Sequence, residues 1–403
     1  MISLQNGDVD RETIQQFDRD FVLPTYRRQD RLFVRGKGCR IWDSEDNEYL
    51  DFLAGIAVDQ LGHCHPAMVE ALTRQANTLI HTSNNLLTPP QPLLAKKLHE
   101  LTGMDRAFFA NCGTTAVESA LKIARKYGNE KCPDGDFEII ALDRSFHGRT
   151  LGALSATMQP KYQKPFGPLL SGFRSVPAND IEALTAAVSP KTAAIIIEPI
   201  QGEGGLTTMT EGFLRAARAL ADQHHALLII DEVQTGMGRT GYWLAIQKFG
   251  IQADIVCLAK GLGSGVPIGA CLTRDKANTV LAHGEHGSTF GGNALVCAVA
   301  LAVLETIERD GLLAHTQEMG AYLAAGLASI GEPIVEVRGE GLMRGAVLSK
   351  PIARDVVRWC IDRFVIVNAT DDNTLRLVPP LIVQKDDIDR VVAILKEAFV
   401  ALG

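Results

Sequence analysis

Between residues 66 and 300 short apolar runs alternate with helix-patterned segments, and few folds accommodate that order. RAFFA, FEIIAL, TAAIIIE, ALLIID and ADIVCLAK are apolar almost throughout. A strand buried on one face alternates apolar and polar residues, whereas one buried on both faces is continuously apolar. AMVEALTRQANTLI, LLAKKLHEL, TTAVESALKIARKYG and EGFLRAARALADQHH carry apolar residues at helical spacing, and Pro66 stands where the first would begin. The pattern predicts an α/β domain, a mostly parallel sheet with helices on both faces. The ends differ. Residues 31–50 suggest short strands, and residues 333–403 mix strands with helices, the pattern of a smaller α+β domain. The expected division is an N-terminal segment over 1–65 that joins the small domain, a large domain over 66–305 and the small domain over 306–403.

Bulk properties exclude several classes. A formal net charge of −7, without a run of Lys or Arg, argues against a nucleic-acid binder. No apolar run approaches the roughly 20 residues of a membrane span. The polar, acidic start MISLQNGDVDRETIQQFDRD resembles neither a secretory signal nor a transit peptide. Eight scattered cysteines without a C-x-x-C pair fit reduced thiols in a cytoplasmic protein.

The stretch ALLIIDEVQTGMGRTG, residues 226–241, allows three readings. As the acid-tipped strand of a phosphate-loop ATPase it needs a G-x-x-x-x-G-K-[ST] loop, and the chain's one Gly-Lys, Gly36-Lys37, is followed by Gly38. As a dinucleotide fingerprint, Gly236 to Gly241 starts too late after its strand, and Arg239 and Thr240 intrude where a pyrophosphate would lie. In the third reading, Asp231 is a strand-end carboxylate for a pyridine nitrogen. Lys260 closes the next strand, one βαβ spacing away, so both can face one pocket beyond the carboxyl ends of the sheet. Lysine is a poor end to a buried strand unless its amine reacts; partly desolvated, it attacks an aldehyde. A carboxylate that keeps a pyridine nitrogen protonated makes the ring an electron sink. Together they point to pyridoxal 5′-phosphate. A phosphate seat is available where RAFFA turns through Asn111 to Thr114 into a helix, with Gly113 allowing close approach; an ordinary capped helix explains the same residues.

NCGTTAVESALKIARK, SFHGRTLGALS, IIEPIQGEGG, LLIIDEVQTGMGRTG, LAKGLGSGVPIGA, HGSTFGGNAL and LRLVPPLIV occur in the order found in the class III pyridoxal-phosphate aminotransferases. From about residue 24 onward the chain resembles that family, most closely its acetylornithine aminotransferase branch. The resemblance implies a fold-type I homodimer with active sites at the subunit interface. It implies that Lys260 carries the cofactor covalently, Asp231 pairs with the ring nitrogen, Gln234 bonds the ring oxygen, and Val233 and Phe146 cover the two ring faces. Gly113 and Thr114 hold the phosphate, joined by the partner subunit's Thr289. Ser288 and Arg149 contact substrate, Arg376 binds the α-carboxylate of glutamate or 2-oxoglutarate, and Glu203 masks Arg376 while an ω-amine is bound. Arginine's planar fork suits such carboxylates.

The implied reaction moves the δ-amino group of N2-acetylornithine to 2-oxoglutarate. It gives N-acetylglutamate 5-semialdehyde and glutamate, a step of arginine biosynthesis. Succinylornithine, ornithine or 4-aminobutyrate as donor, a decarboxylase or racemase on the same fold, and more distantly a nicotinamide-dependent dehydrogenase are the alternatives. Cys112 replaces a usual serine in the phosphate turn, Thr115 and Val117 replace Glu and Asn, and Ser264 and Val266 replace Gly and Phe after Lys260. TSNNLL at 82–87 lacks an aromatic residue expected near the substrate's acyl end. Glu198 is expected behind the site, and His147 is read as shaping a turn, outside the site. His63-Cys64-His65 lacks the spacing and fourth ligand of a zinc site, and no metal is expected.

Overall fold

The computed structural model describes residues 10–402, so the first nine residues of the expected N-terminal segment lie outside the described residues. Seven strands form the large sheet: β1 (Arg106–Ala110), β2 (Glu138–Leu142), β3 (Phe173–Val176), β4 (Thr192–Ile197), β5 (Leu227–Asp231), β6 (Ile255–Leu258) and β7 (Gly269–Thr273). Their order is β1-β7-β6-β5-β4-β2-β3. From β6 to β3 every pairing is parallel. β7 runs antiparallel to both β6 and β1. Two strands were not expected from the sequence. β3 (FRSV) is an edge strand with two apolar residues, and β7 (GACLT) opens on glycine directly after a glycine-rich turn.

Both faces of the sheet are covered. Leu228 and Ile230 pack with Phe213, Leu214 and Ala217 of the helix Glu211–Gln223. Their neighbours Leu227 and Ile229 pack on the other face with Ala116, Val117 and Ala120 of helix α1 (Gly113–Lys131). Alternate residues of one strand thus enter two cores, which is why the run is apolar throughout.

The two ends of the chain meet. Strands Phe33–Lys37, Arg40–Asp43 and Glu48–Asp51 form a sheet completed by Val365–Ile366, which pairs in parallel with Leu50 and Asp51. Antiparallel strands Ile334–Glu340, Met343–Leu348, Thr374–Leu377 and Asn368–Ala369 form another. Residues from both sheets share a core with the helices Leu312–Ile330, Ala353–Ile361 and Lys385–Leu402. Helix Ala294–Arg309 turns Val296, Ala300 and Leu304 to the large core and Val299, Val303 and Ile307 to the small one. The chain therefore passes between the cores inside a helix. Fully buried Arg239 donates to the carbonyls of Leu342 and Pro379 and to Gln60, tying the seam between them. Its guanidinium is thereby committed to protein carbonyls, away from any phosphate. His63 bonds Asp51 at 2.8 Å, while His65 caps the helix Pro66–Ala76; the two rings serve separate local tasks. Among the described residues no helix is long and apolar enough to cross a membrane.

Candidate active site

The carboxyl ends of β1, β2, β4, β5 and β6 open on one edge of the sheet, and the turn entering antiparallel β7 reaches the same edge. A cavity of about 380 Å³ lies there. Lys260 and Asp231 both line it. Lys260 follows β6 with φ +43°, a conformation that costs energy for a side-chain-bearing residue and concentrates at functional sites. Ser264 (φ +46°) and Gly265 (φ +120°) continue the same tight turn. Burial, joined by the charge of Arg376, lowers the Lys260 pKa to about 8, with Glu203, Asp231 and Glu198 opposing. Burial and a nearby cation both disfavour an ammonium, so the amine is neutral closer to physiological pH than a surface lysine.

Asp231 is held by two donors. The Val233 N–H reaches Oδ1 at 3.0 Å, and His147 Nδ1 lies 2.7 Å from Oδ2. Burial alone would lower the His147 pKa, but its hydrogen bond to Asp231 and the charges of Asp231 and Glu198 raise it above the ordinary value. His147 thus belongs to the site, which corrects its assignment to the turn alone. Its Nε2 is buried without a hydrogen-bond partner among the described residues. Glu198 also lines the cavity itself, where it accepts the Phe146 N–H at 2.9 Å. Burial pushes its pKa up to about 7, with His147 opposing and Asp231 adding.

The first turn of α1 opens on the same cavity and is suited to an anion. Its leading N–H groups have no carbonyl partners within the helix, and the helix dipole favours negative charge there. Thr115 Oγ1 accepts from the N–H of Asn111 and Cys112, holding the turn that leads into Gly113. The sequence read Thr115 as a departure; it is the residue that closes this turn. A Cβ on Gly113 would come within 2.7 Å of Val233 Cγ1, so a larger residue here would have to push the Val233 side chain aside. The Thr114 hydroxyl is engaged elsewhere. It lies 2.9 Å from Thr150 Oγ1 and accepts from the N–H of Arg149 and Thr150, which leaves the backbone of Thr114 for an anion.

Of the remaining expected residues, Phe146, Val233, Gln234, Arg149 and Glu203 line the cavity. Arg376 does not line it but bonds Glu203, which does. Its guanidinium donates to Glu203 at 2.5 Å, to the Gly202 carbonyl at 2.9 Å and to Asn368 at 2.8 Å. Arg149 is exposed and lies 4.2 Å over the ring of Tyr162. It has no carboxylate partner among the described residues. Ser288 and Thr289 are not brought to this cavity. They border a separate one of about 720 Å³ with Asn84, Gln91 and His286. Asn84 donates there to the carbonyls of Ser288 and Gly291, so TSNNLL braces the loop that carries Ser288 and Thr289 within its own subunit.

Residues 24–399 match the family Aminotransferase class-III. The chain belongs to the class-III aminotransferases. It is 46% identical to the acetylornithine aminotransferase of Caldanaerobacter subterraneus subsp. tengcongensis, over 94% of this chain and 98% of that protein. It is 49% identical to that of Methanocaldococcus jannaschii, over 95% and 96%. Among solved structures, the ornithine aminotransferase of Toxoplasma gondii superposes with a TM-score of 0.93 at 34% identity, covering 98% of this chain and 96% of that one. The acetylornithine aminotransferase of Elizabethkingia anophelis gives 0.87 at 33%, covering 97% and 99%. This aminotransferase therefore has the fold-type I architecture, uses pyridoxal phosphate, and takes a small-molecule amino donor and an oxo-acid acceptor. The donor set fits the cofactor: an amine with lowered pKa, an oriented carboxylate one strand away, and a helix N-terminus that begins at Gly113.

Proposed function

We propose that this aminotransferase moves the δ-amino group of N2-acetylornithine to 2-oxoglutarate, releasing N-acetylglutamate 5-semialdehyde and glutamate. The observation that carries this reading is the unequal state of two arginines. Arg376 is held by Glu203, while Arg149 at the cavity wall has no carboxylate partner among the described residues. A donor that reacts through a terminal amine brings no carboxylate to the reacting carbon. It needs a cation at the far end and none beside the amine. Glutamate and 2-oxoglutarate carry a carboxylate next to the reacting carbon and need Arg376 released. The curated acetylornithine aminotransferases at 46–49% identity support the acylated donor.

Bound pyridoxal phosphate supplies an aldehyde that exchanges amines and a ring that takes up electron density from the substrate carbon. Lys260 holds the coenzyme and, once freed, carries the proton from the amine-bearing carbon; an amine with pKa near 8 suits general acid–base work. Asp231, fixed by Val233 and His147, would hold the proton on the ring nitrogen. Gln234 would bond the ring oxygen, and Val233 and Phe146, which line the same cavity, would enclose the ring. Gly113 and Thr114 present backbone N–H groups to the phosphate. Two such chains form the proposed homodimer, in which the partner subunit's Thr289 completes the phosphate site and the partner's Ser288 reaches substrate. A cytoplasmic location belongs to the same reading, supported by eight unpaired cysteines.

The experiment is a donor panel with 2-oxoglutarate, following glutamate: acetylornithine, succinylornithine, ornithine and 4-aminobutyrate. Acetylornithine is expected to give the highest kcat/KM. Ornithine is the second reading, because ornithine aminotransferases superpose so well on this chain. Higher kcat/KM with free ornithine would replace the acetylated donor.

A further inference from the structure

Hydrogen bonds fix Arg149 at its backbone only. Its N–H donates to Thr114 Oγ1 at 3.2 Å, at the head of α1. Its guanidinium has no hydrogen-bond acceptor among the described residues and rests against aromatic rings instead. Cζ lies 4.2 Å from the ring centroid of Tyr162 and 5.5 Å from that of Phe146. The two rings meet edge to face, with centroids 5.8 Å apart and planes at 75°. A guanidinium within about 6 Å of a ring centroid is attracted by the ring quadrupole. Phe146 lines the cavity with Lys260, whereas Tyr162 stands outside its lining.

The Tyr162 ring has a firm base. Tyr162 belongs to a one-turn helix, Pro160–Gln163, and its N–H donates to the Gln159 carbonyl at 2.9 Å. Buried Gln159 donates in turn to the carbonyls of Arg144 and Ser145, both at 3.1 Å. Gln163 donates to the Leu154 carbonyl at 3.1 Å. The residues on either side of Tyr162 are thus bonded to the segment 144–154 that carries Phe146 and Arg149, so ring and guanidinium share one frame. An arginine side chain loses rotamer freedom when a ligand fixes it, and a partner that holds it beforehand removes part of that cost. A carboxylate partner would occupy the N–H donors that a substrate carboxylate needs. A ring attracts the cation and leaves those donors unspent.

We propose that Tyr162 is a positioning residue for Arg149, holding its guanidinium ready for the far carboxylate of the amino donor. Tyr162 touches neither coenzyme nor substrate and acts through Arg149. The inference rests on the reading of Arg149 as the far-carboxylate site. Lys161 lies 4.7 Å over the same ring, so the effect has to be assigned to Arg149 by a double substitution.

The test is the donor half-reaction of the holoenzyme, followed by coenzyme absorbance, with two donors. One is N2-acetylornithine; the other is N-acetylputrescine, the same molecule without its carboxylate. Should the donor panel select free ornithine, ornithine and putrescine take their places. Tyr162→Leu removes the ring. It is expected to raise the apparent Kd for acetylornithine by ~2- to 5-fold, the size of an exposed cation–ring contact, with the limiting rate unchanged. With N-acetylputrescine it is expected to change neither constant. Tyr162→Phe keeps the ring face and is expected to match the wild type. On an Arg149→Leu background, Tyr162→Leu is expected to add nothing. Equal losses with both donors, a loss that persists without Arg149, or a Tyr162→Phe defect as large as that of Tyr162→Leu overturns the inference; the residue then serves Phe146, the fold or its own hydroxyl. Arg149→Leu alone tests the underlying reading, since it should penalise acetylornithine and spare N-acetylputrescine. If it treats both donors alike, that reading falls and the inference with it. If it separates them while Tyr162→Leu changes nothing, the positioning role alone is overturned.

Discussion

His147 Nδ1 lies 2.7 Å from Asp231 Oδ2, and the two side chains expose 0% and 4% of their surface. Such a pair is worth little relative to an apolar replacement of both partners. Removing one partner is different, because it strands the other's charge. His147→Phe is therefore expected to cost the apoenzyme ~3–5 kcal/mol in denaturant unfolding. It is also expected to weaken cofactor binding, since Asp231 loses the donor that orients it. The pH dependence has a defined sign. The pKa of His147 is raised in the folded state, so its contribution is full below the ordinary value of 6.5 and declines as pH rises through the higher folded value. Wild-type and variant stability curves should converge on the alkaline side; parallel curves would exclude the ion pair.

Lys260 gives a second pH signature. Loading of the apoenzyme requires a neutral amine to attack the coenzyme aldehyde. With the folded pKa at about 8, the uptake rate should climb with pH and level off above about 8. A lysine at its ordinary 10.5 would keep climbing. Glu203 raises the Lys260 pKa, so Glu203→Gln is expected to move the midpoint to lower pH. Stability follows the opposite bookkeeping from His147. The unfolded chain binds more protons between 8 and 10.5, so this group makes apoenzyme stability rise with pH across that window. Stopped-flow absorbance of cofactor uptake measures the midpoint.

Gly113→Ala tests the phosphate seat. The added Cβ would meet Val233 Cγ1 at 2.7 Å, next to the carboxylate that Val233 helps to hold. Overpacking of this kind costs ~1–3 kcal/mol. The expected outcome is a folded protein that loses its coenzyme on gel filtration, measured by the visible absorbance retained. Full retention would place the phosphate elsewhere.

The sequence carried some of this site better than the rest, and the reasons are physical. Asp231 and Lys260 were legible because each ends a continuously apolar strand, where a charge has no structural excuse, and because their spacing matches adjacent parallel strands. The parallel core was legible for the same reason. β7 was not, since five residues opening on glycine carry no periodicity and an antiparallel strand here is fixed by its neighbours β1 and β6. His147 and Asp231 are 84 positions apart and Glu203 and Arg376 are 173 apart, separations at which spacing predicts no contact. The second pair was anticipated through family resemblance, whereas the first was missed because a histidine beside Phe146 reads as turn chemistry. Asn84 gave no signal at all: an asparagine in a polar loop looks the same whether or not it holds another loop.

The loop from Gly284 to Gly291 offers the last test. It carries Ser288 and Thr289 and is fastened to α1 through His286 and Glu285. Ser119 Oγ lies 2.8 Å from His286 Nε2, Lys122 donates to His286 Nδ1 at 3.1 Å and to the Glu285 carbonyl, and Lys126 pairs with the Glu285 carboxylate at 2.6 Å. Phe108 packs on the imidazole at 4.5 Å between centroids. The N-terminus of the same helix offers its own anion seat, so one rigid element links the two phosphate contacts of the proposed dimer. Burial lowers the His286 pKa, Lys122 adds to this and Glu118 opposes it. The neutral ring is the anchoring form, and its contribution is lost as pH falls below the ordinary 6.5 toward the lower folded value. Coenzyme dissociation from the wild type is expected to speed up on the acid side; His286→Ala is expected to speed it at neutral pH and to remove that acid-side change. Thr289→Ala should speed dissociation equally at every pH. Gln91 also donates to the Gly292 carbonyl beyond the loop at 3.0 Å. A His286→Ala protein that keeps its coenzyme as long as the wild type, while Thr289→Ala does not, would show that the bonds from Asn84 and Gln91 suffice to hold the loop.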